Sequence, residues 1–161
     1  MTQPSCYTAR VLPRDYAGQN CSIARGLEIL GDRWTLLVVR NALVGVRRFD
    51  DFLRLGLARN VLADRLARLC AEGILERVPY QERPPRHEYR VTDKGRALWP
   101  VLVALLEWGD RYHAPPGGPP RLIVHAGCGG EVVGRLQCSA CDGPIRAGDL
   151  STRPGPGARV A

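Results

Sequence analysis

Three leucines, Leu62, Leu66 and Leu69, recur at intervals of four and three residues, the spacing that lines up one face of a helix. The same rhythm puts Ile23, Leu27 and Leu30 on an earlier helix capped by Ser22 and stopped by Gly31. A second helix, capped by Asp32 and ended by Gly45, carries Trp34, Leu37, Val38 and Leu43. A third starts near Arg48 and buries Phe49, Phe52 and Leu53. After a turn at 55–58, the helix with the three leucines runs from Arg59 to Glu72, presents Asn60, Val61, Asp64, Arg65 and Arg68 on its other face, and stops at Gly73. Strand-forming residues follow at 75–80 and 87–92, around a tip at 81–86 whose adjacent Pro84 and Pro85 cannot continue a ladder. Thr92 caps one more helix, from about Asp93 to Tyr112, with Pro100 inside it as an expected kink. Its Leu98, Val101, Leu102, Leu105, Leu106 and Trp108 cover more than one packing face, so part of it is expected to meet a second subunit.

Helix, turn, helix and hairpin in that order predict a mainly α fold with a small β-hairpin wing, the winged helix-turn-helix. The chain divides accordingly. Residues 1–20 show no period and carry Pro4, Pro13 and Gly18, which predicts a flexible arm. Residues 21–113 form the winged domain, 114–120 a Pro/Gly linker, 121–149 a small β segment resembling a zinc ribbon, and 150–161 a flexible tail. No internal repeat is evident.

Composition narrows the partners. The chain of 161 residues is 45% apolar, enough for a core, and carries a formal net charge of +7 with a pI near 9.5. Such a balance favours a polyanionic partner. Lys94 is the single lysine among 23 basic residues. No stretch approaches the roughly 18 apolar residues of a membrane span, and the N-terminus lacks the charged and then apolar order of a signal peptide. A cytoplasmic protein without a membrane partner is expected. In that reducing compartment the six cysteines are candidates for metal or redox chemistry before disulfides.

Two constellations carry chemistry. On the helix from Arg59, Asn60 suits adenine, Arg59 or Arg65 suits guanine, and Asp64 shares the exposed face. Arg47, Arg48, Arg54 and Arg68 are placed to meet phosphates, and Arg83 and Arg86 project from the wing tip towards a backbone or minor groove. The bland reading of the same residues is a solvated face in which arginines pair with Asp50, Asp51 and Asp64. The second constellation is His125-Ala126-Gly127-Cys128 followed by Cys138-Ser139-Ala140-Cys141. Two-residue gaps let both ligands of a turn reach one ion, and His125, Cys128, Cys138 and Cys141 make a closed tetrahedral set for structural zinc. Free thiols, or a Cys138/Cys141 redox pair, are the competing reading. Cys70 reads as a small core residue. Cys21, at a helix start, stays open between an inert thiol and a redox sensor.

The run Cys21-Ser22-Ile23, then Leu27-Glu28-Ile29-Leu30-Gly31-Asp32-Arg33-Trp34, Arg47-Arg48-Phe49, Glu72-Gly73-Ile74-Leu75, Pro84-Pro85, Glu88-Tyr89 and Lys94-Gly95 resembles the HxlR-type family of bacterial winged-helix transcriptional regulators, over about residues 21–112. The resemblance implies a homodimer on a palindromic operator, with N- and C-terminal helices at the interface. It also implies that Cys21 occupies the place of the sensing thiol in members that respond to oxidants, which makes a redox effector a candidate partner; Trp34, Trp99 and Trp108 read as packing residues or, around a dimer cleft, as the lining of a pocket for a small-molecule effector. Transcriptional regulation through double-stranded DNA is therefore the expected function. The alternatives are a protein-interaction module built on the C-terminal segment and a thiol-based sensor acting through Cys21. No nucleophile lies beside His87 or His113 and no phosphate loop is visible, so an enzyme is not expected.

Overall fold

The computed structural model describes residues 15–16 and 19–157; the rest of the expected N-terminal arm and the last four residues of the tail lie outside the described residues. The described chain folds as α1 (Ser22–Leu30), α2 (Thr35–Leu43), α3 (Phe49–Phe52), α4 (Arg59–Ala71), the strands β1 (Leu75–Gln81) and β2 (Arg86–Val91), α5 (Asp93–Arg96) and α6 (Trp99–His113). The strands pair antiparallel from Leu75↔Val91 to Gln81↔Arg86, with a bulge between Pro79 and Gln81. Arg48 bridges to Glu88, and the Tyr89 amide donates to the Arg47 carbonyl at 2.8 Å, so the wing is stitched to the start of α3. This is a winged helix-turn-helix.

The predicted leucine face is the centre of the core. Leu62, Leu66 and Leu69 are essentially inaccessible and pack with Val38, Val39, Phe52, Ile74 and Leu75. Each such side chain contributes about 1.5 to 3 kcal/mol of burial. The phenyl edge of Phe52 meets Tyr89 with ring centroids 6.4 Å apart, which ties the wing to that core. Two helices end in the same glycine device. Gly45 and Gly73 take positive φ, and the next amides, of Val46 and Ile74, reach back to the carbonyls of Asn41 and Leu69 at 2.9 Å. Those bonds satisfy the last carbonyls of α2 and α4 and aim the chain into the next element.

Several local expectations are corrected. Cys21, not Ser22, is the N-cap of α1, without a side-chain cap bond. Asp32 does not cap α2, which starts at Thr35; its carboxylate pairs instead with Arg65. The single expected C-terminal helix is two. Thr92 Oγ1 accepts from the Gly95 amide at 3.1 Å to cap α5, and α6 begins afresh with Pro100 in its first turn, where a missing amide costs nothing. Pro100 therefore starts a helix instead of kinking one.

Beyond the linker the chain returns to α6. The Gly134 amide donates to Glu107 Oε1 at 2.6 Å, and a Cβ at Gly134 would lie 3.6 Å from Val103 Cγ1. Val103 is 4% exposed yet belongs to no part of the central core, so the returning segment helps to cover it. The tail comes back as well, its Gly157 carbonyl accepting from Asn20 Nδ2 at 2.9 Å. Residues 123–132 and 136–145 form two hairpins of one design. In the first, His125 N bonds to Gly130 O, Gly129 N to His125 O, and Val132 N to Ile123 O; in the second, Cys138 N bonds to Gly143 O, Asp142 N to Cys138 O, and Ile145 N to Leu136 O. Every second-hairpin partner lies thirteen positions beyond its counterpart, His125 against Cys138 and Cys128 against Cys141. The expectation of no internal repeat is corrected by this pair.

Candidate nucleic-acid interface

Helix α4 offers solvent a face of Asn60, Ala63, Asp64 and Ala67, all exposed and spaced by three, one and three residues. Sequence reasoning placed Val61 and Arg65 on that face, and the structure turns both inward. Val61 packs against the core. Arg65 has only 22% of its side chain exposed, pairs with Asp32 at 2.5 Å and buries its Nε. Arg68 donates to the Glu28 carbonyl in the last turn of α1. These two arginines tie α4 to α1 and to the α1–α2 junction. The missed residues, Ala63 and Ala67, were available in the letters as Asn60's own i+3 and i+7 partners. Their alanine side chains leave the backbone of α4 open to close approach.

Cations flank this face. Arg59, at the first turn of α4, stacks over Phe49 at 5.3 Å and meets Asp50 at 3.2 Å, an exposed pair worth little to stability and easily exchanged for another acceptor. Arg48 lies over the Tyr80 ring at 4.9 Å, a contact that holds its guanidinium in place. A groove of about 550 Å³ runs between the start of α4 and the wing, with Arg48, Arg59, Arg77, Tyr80, Arg86 and His87 on its walls. Arg77, which sequence reasoning read only as a strand residue, is thus part of the cationic surface; it donates to His87 Nδ1 at 2.9 Å. Arg47 and Arg54 are exposed on the α3 side, Arg54 facing Asp51 at 3.6 Å. Arg83 and Arg86 are exposed at the wing tip.

The other candidates fall into place around it. His125 Nδ1 and Cys128 Sγ lie 3.3 Å apart, and Cys138 and Cys141 share a side-chain hydrogen bond. The four expected ligands are thus gathered as two pairs, and among the described residues no three His, Cys, Asp or Glu side chains meet at one point suited to an ion. Backbone amides of Ala140 and Cys141 donate to Cys138 and draw its thiol below the ordinary range. Burial pushes the Cys70 thiol up, with nearby Arg77 opposing, consistent with a packing role. Cys21 is exposed at the head of α1. Among the described residues no helix is long and apolar enough to cross a membrane.

Comparison with known proteins agrees with this architecture. The family model described as HxlR-like helix-turn-helix matches residues 29–116, more than half of the chain. An uncharacterized HTH-type transcriptional regulator of Mycobacterium tuberculosis is 46% identical over 137 residues, covering 84% of this chain and 87% of that protein. A match of that length extends past the winged domain into the C-terminal segment. The crystal structure of PA1607, a putative transcription factor, aligns with a TM-score of 0.75 at 40% identity over 84% of this chain and 96% of its own. The reduced form of the redox regulator HypR aligns with a TM-score of 0.53 at 30% identity, over 56% of this chain and 92% of its own. These are transcriptional regulators, a class that acts by binding and not by catalysis. The chain belongs to the HxlR-like helix-turn-helix family of transcriptional regulators.

Proposed function

We propose that two copies of this chain bind a palindromic DNA operator in the cytoplasm, each laying α4 in the major groove and its wing along the neighbouring backbone. The face Asn60, Ala63, Asp64 and Ala67 between clusters of arginine carries the reading. On it Asn60 suits the N6/N7 edge of adenine, Asp64 accepts from cytosine N4, and Arg59, released from Asp50, reaches guanine. Arg47, Arg48, Arg54, Arg77, Arg83 and Arg86 meet phosphates and set register. Arg65 and Arg68 act from behind, by fixing the angle of α4 against α1. Footprinting on DNA from upstream of the chain's own gene tests this. Two protected half-sites about one helical turn apart, lost on scrambled DNA and weakened steeply by salt, are expected. Equal affinity for scrambled DNA overturns sequence-specific reading.

The second copy is supported by an apolar stripe. Val101, Leu105, Trp108 and Tyr112 succeed one another along α6 and are 48%, 50%, 54% and 61% exposed. Ile23 and Leu27 on α1 are exposed too. A dimer interface covers such surface. Leu105→Glu is expected to convert the dimer to a monomer in light scattering at micromolar concentration, raising the dissociation constant by about 100-fold or more, while the helical circular dichroism of each chain is retained. A wild-type chain that is monomeric under the same conditions sinks the proposal.

Control by an effector belongs to the same reading. The similar protein HypR is a redox regulator, and Cys21 here stands exposed at the head of α1, one residue from the solvent-facing Ser22 and two from Ile23 on the proposed dimer surface. Oxidation or alkylation there would alter the relation of the two copies. A cleft of about 580 Å³ between α2, the wing base and α6, with Arg47, Tyr89, Arg90, Arg96 and Trp99 on its walls, suits an anionic aromatic effector.

A further inference from the structure

The C-terminal segment has a defined fold and almost nothing to hold it. Leu122, Val124, Val133 and Leu136 are each more than half exposed, and among the described residues none beyond Val103 contributes to a buried hydrophobic set. One hydrogen bond from Gly134 to Glu107 pins the connector between its two hairpins to α6. Segments of this size without a core are ordinarily closed by a disulfide or a metal.

The hairpins themselves indicate which. Each presents two ligating side chains across a three-residue step, and the turn is closed the same way both times, by an amide of residue 129 or 142 returning to the carbonyl of the first ligand. The residue after the second ligand takes positive φ in both, Gly129 at 73° and Asp142 at 53°. For Asp142 this conformation carries a steric cost. A glycine follows, and a Cβ at Gly130 or Gly143 would sit 3.5 Å from Cys128 Sγ or 3.4 Å from Cys141 Sγ, so the backbone runs close beside each sulfur. At Cys138 the backbone amides of Ala140 and Cys141 donate to the sulfur. The same turn built twice, once at a steric cost, and each time around a pair of zinc-ligating side chains, has no packing purpose in a segment without a core.

We infer that His125, Cys128, Cys138 and Cys141 bind one zinc ion per chain, which draws the two knuckles together and locks the segment over α6. Three thiolates and one imidazole satisfy a tetrahedral zinc completely, with no position left for water, so the ion is structural. Binding releases the thiol protons to solvent and oxidises nothing. The ion's task is to join what the chain places as two separate pairs. The inference goes beyond DNA binding and stands or falls without it.

The test uses the full chain purified under reducing conditions, stripped with a chelator and titrated with Zn²⁺ or Co²⁺ alone. One ion per chain is expected, with the thiolate-to-metal charge-transfer and visible bands of tetrahedral cobalt, and with 121–149 becoming markedly more resistant to limited proteolysis. Cys128→Ser and Cys141→Ser, one from each hairpin, are each expected to lose the cobalt spectrum and the protection. Cys21→Ser and Cys70→Ser keep both. Circular dichroism of the winged domain shows that the variants are folded. Uptake below one ion per chain, thiols that titrate as free or as a Cys138–Cys141 disulfide in the presence of zinc, or a cobalt spectrum that survives Cys128→Ser, overturns the inference.

Discussion

Ala63→Glu is expected to reduce operator affinity by about 100-fold or more, on the order of 3 kcal/mol, and to leave the fold as it was. Ala63 sits in the middle of the exposed face of α4, between Asn60 and Ala67. A methyl group there lets the helix backbone approach the base edges. A glutamate would stand between helix and groove, and would bring a carboxylate against the phosphates that Arg47 and Arg48 address. The same substitution costs the folded state little, because Ala63 is exposed and glutamate is a good helix former. Ala71→Glu, on the same helix but in its last turn, changes the net charge equally. It is expected to weaken binding only modestly and without regard to sequence. Fluorescence anisotropy with operator and scrambled duplexes, at two salt concentrations, separates the two. If both variants lose affinity equally, proximity to bases is not what Ala63 supplies, and the docking face of α4 is wrong.

That prediction rests on a place where helical periodicity in the letters misled. The buried side of α4 is announced by three leucines, and nothing else in the stretch competes with them. Its opposite side is defined by what is left over, and there the residue types deceive: Arg65 is charged and was expected to face solvent, whereas Asp32 from another element supplies the partner that lets it turn inward. A long-range ion pair of this kind has no signature in local spacing. Asp32 was misread by the same cause, since a carboxylate before a helix looks like a cap until its partner thirty-three positions later is seen. The break between α5 and α6 is a further case. Apolar residues continue across it, so period alone joins the two helices, but Thr92 caps a single turn and Pro100 fits a first turn better than an interior.

The wing was legible, because adjacent prolines fix a tip and strand-forming residues stand on either side of it, but its register, with a bulge between Pro79 and Gln81, was not. The wing's chemistry was legible only in part. Arg77 and Tyr80 read as strand formers, and only the fold shows them beside Arg48 and Arg59 in one groove. The repeat in the C-terminal segment escaped for a different reason. His125 and Cys138 hold equivalent places but share no letter, as do Val132 and Ile145. The identities, Cys128 with Cys141 and Gly130 with Gly143, are too few to announce a repeat, and the rest of the likeness lies in backbone bonds.

Gly95→Ala is expected to destabilise the winged domain by on the order of 3 kcal/mol, an effect of overpacking at a site that cannot relax. In thermal denaturation this is a fall of roughly 10 °C or more. A Cβ on Gly95 would lie 2.4 Å from the Ile74 carbonyl oxygen and 2.7 Å from Val91 Cγ1. The valine methyl can turn away; the carbonyl cannot. It accepts from the Thr92 amide and hydroxyl, both at 3.1 Å, and so closes the junction between the end of α4, the base of the wing and the cap of α5. Moving it loosens the wing against α4, the two elements whose relative placement forms the proposed DNA surface. Gly95 has no left-handed backbone to protect, so its glycine is required by contact and not by φ. Gly109→Ala provides the comparison. It lies in α6 with nothing within 4 Å of an added Cβ, and the same substitution there is expected to stabilise by about 0.5 to 1 kcal/mol. Opposite signs at the two glycines, measured by urea denaturation, are the expected result. A Gly95→Ala protein as stable as the parent would show that the close approach of α5 to the wing base does not exist in solution.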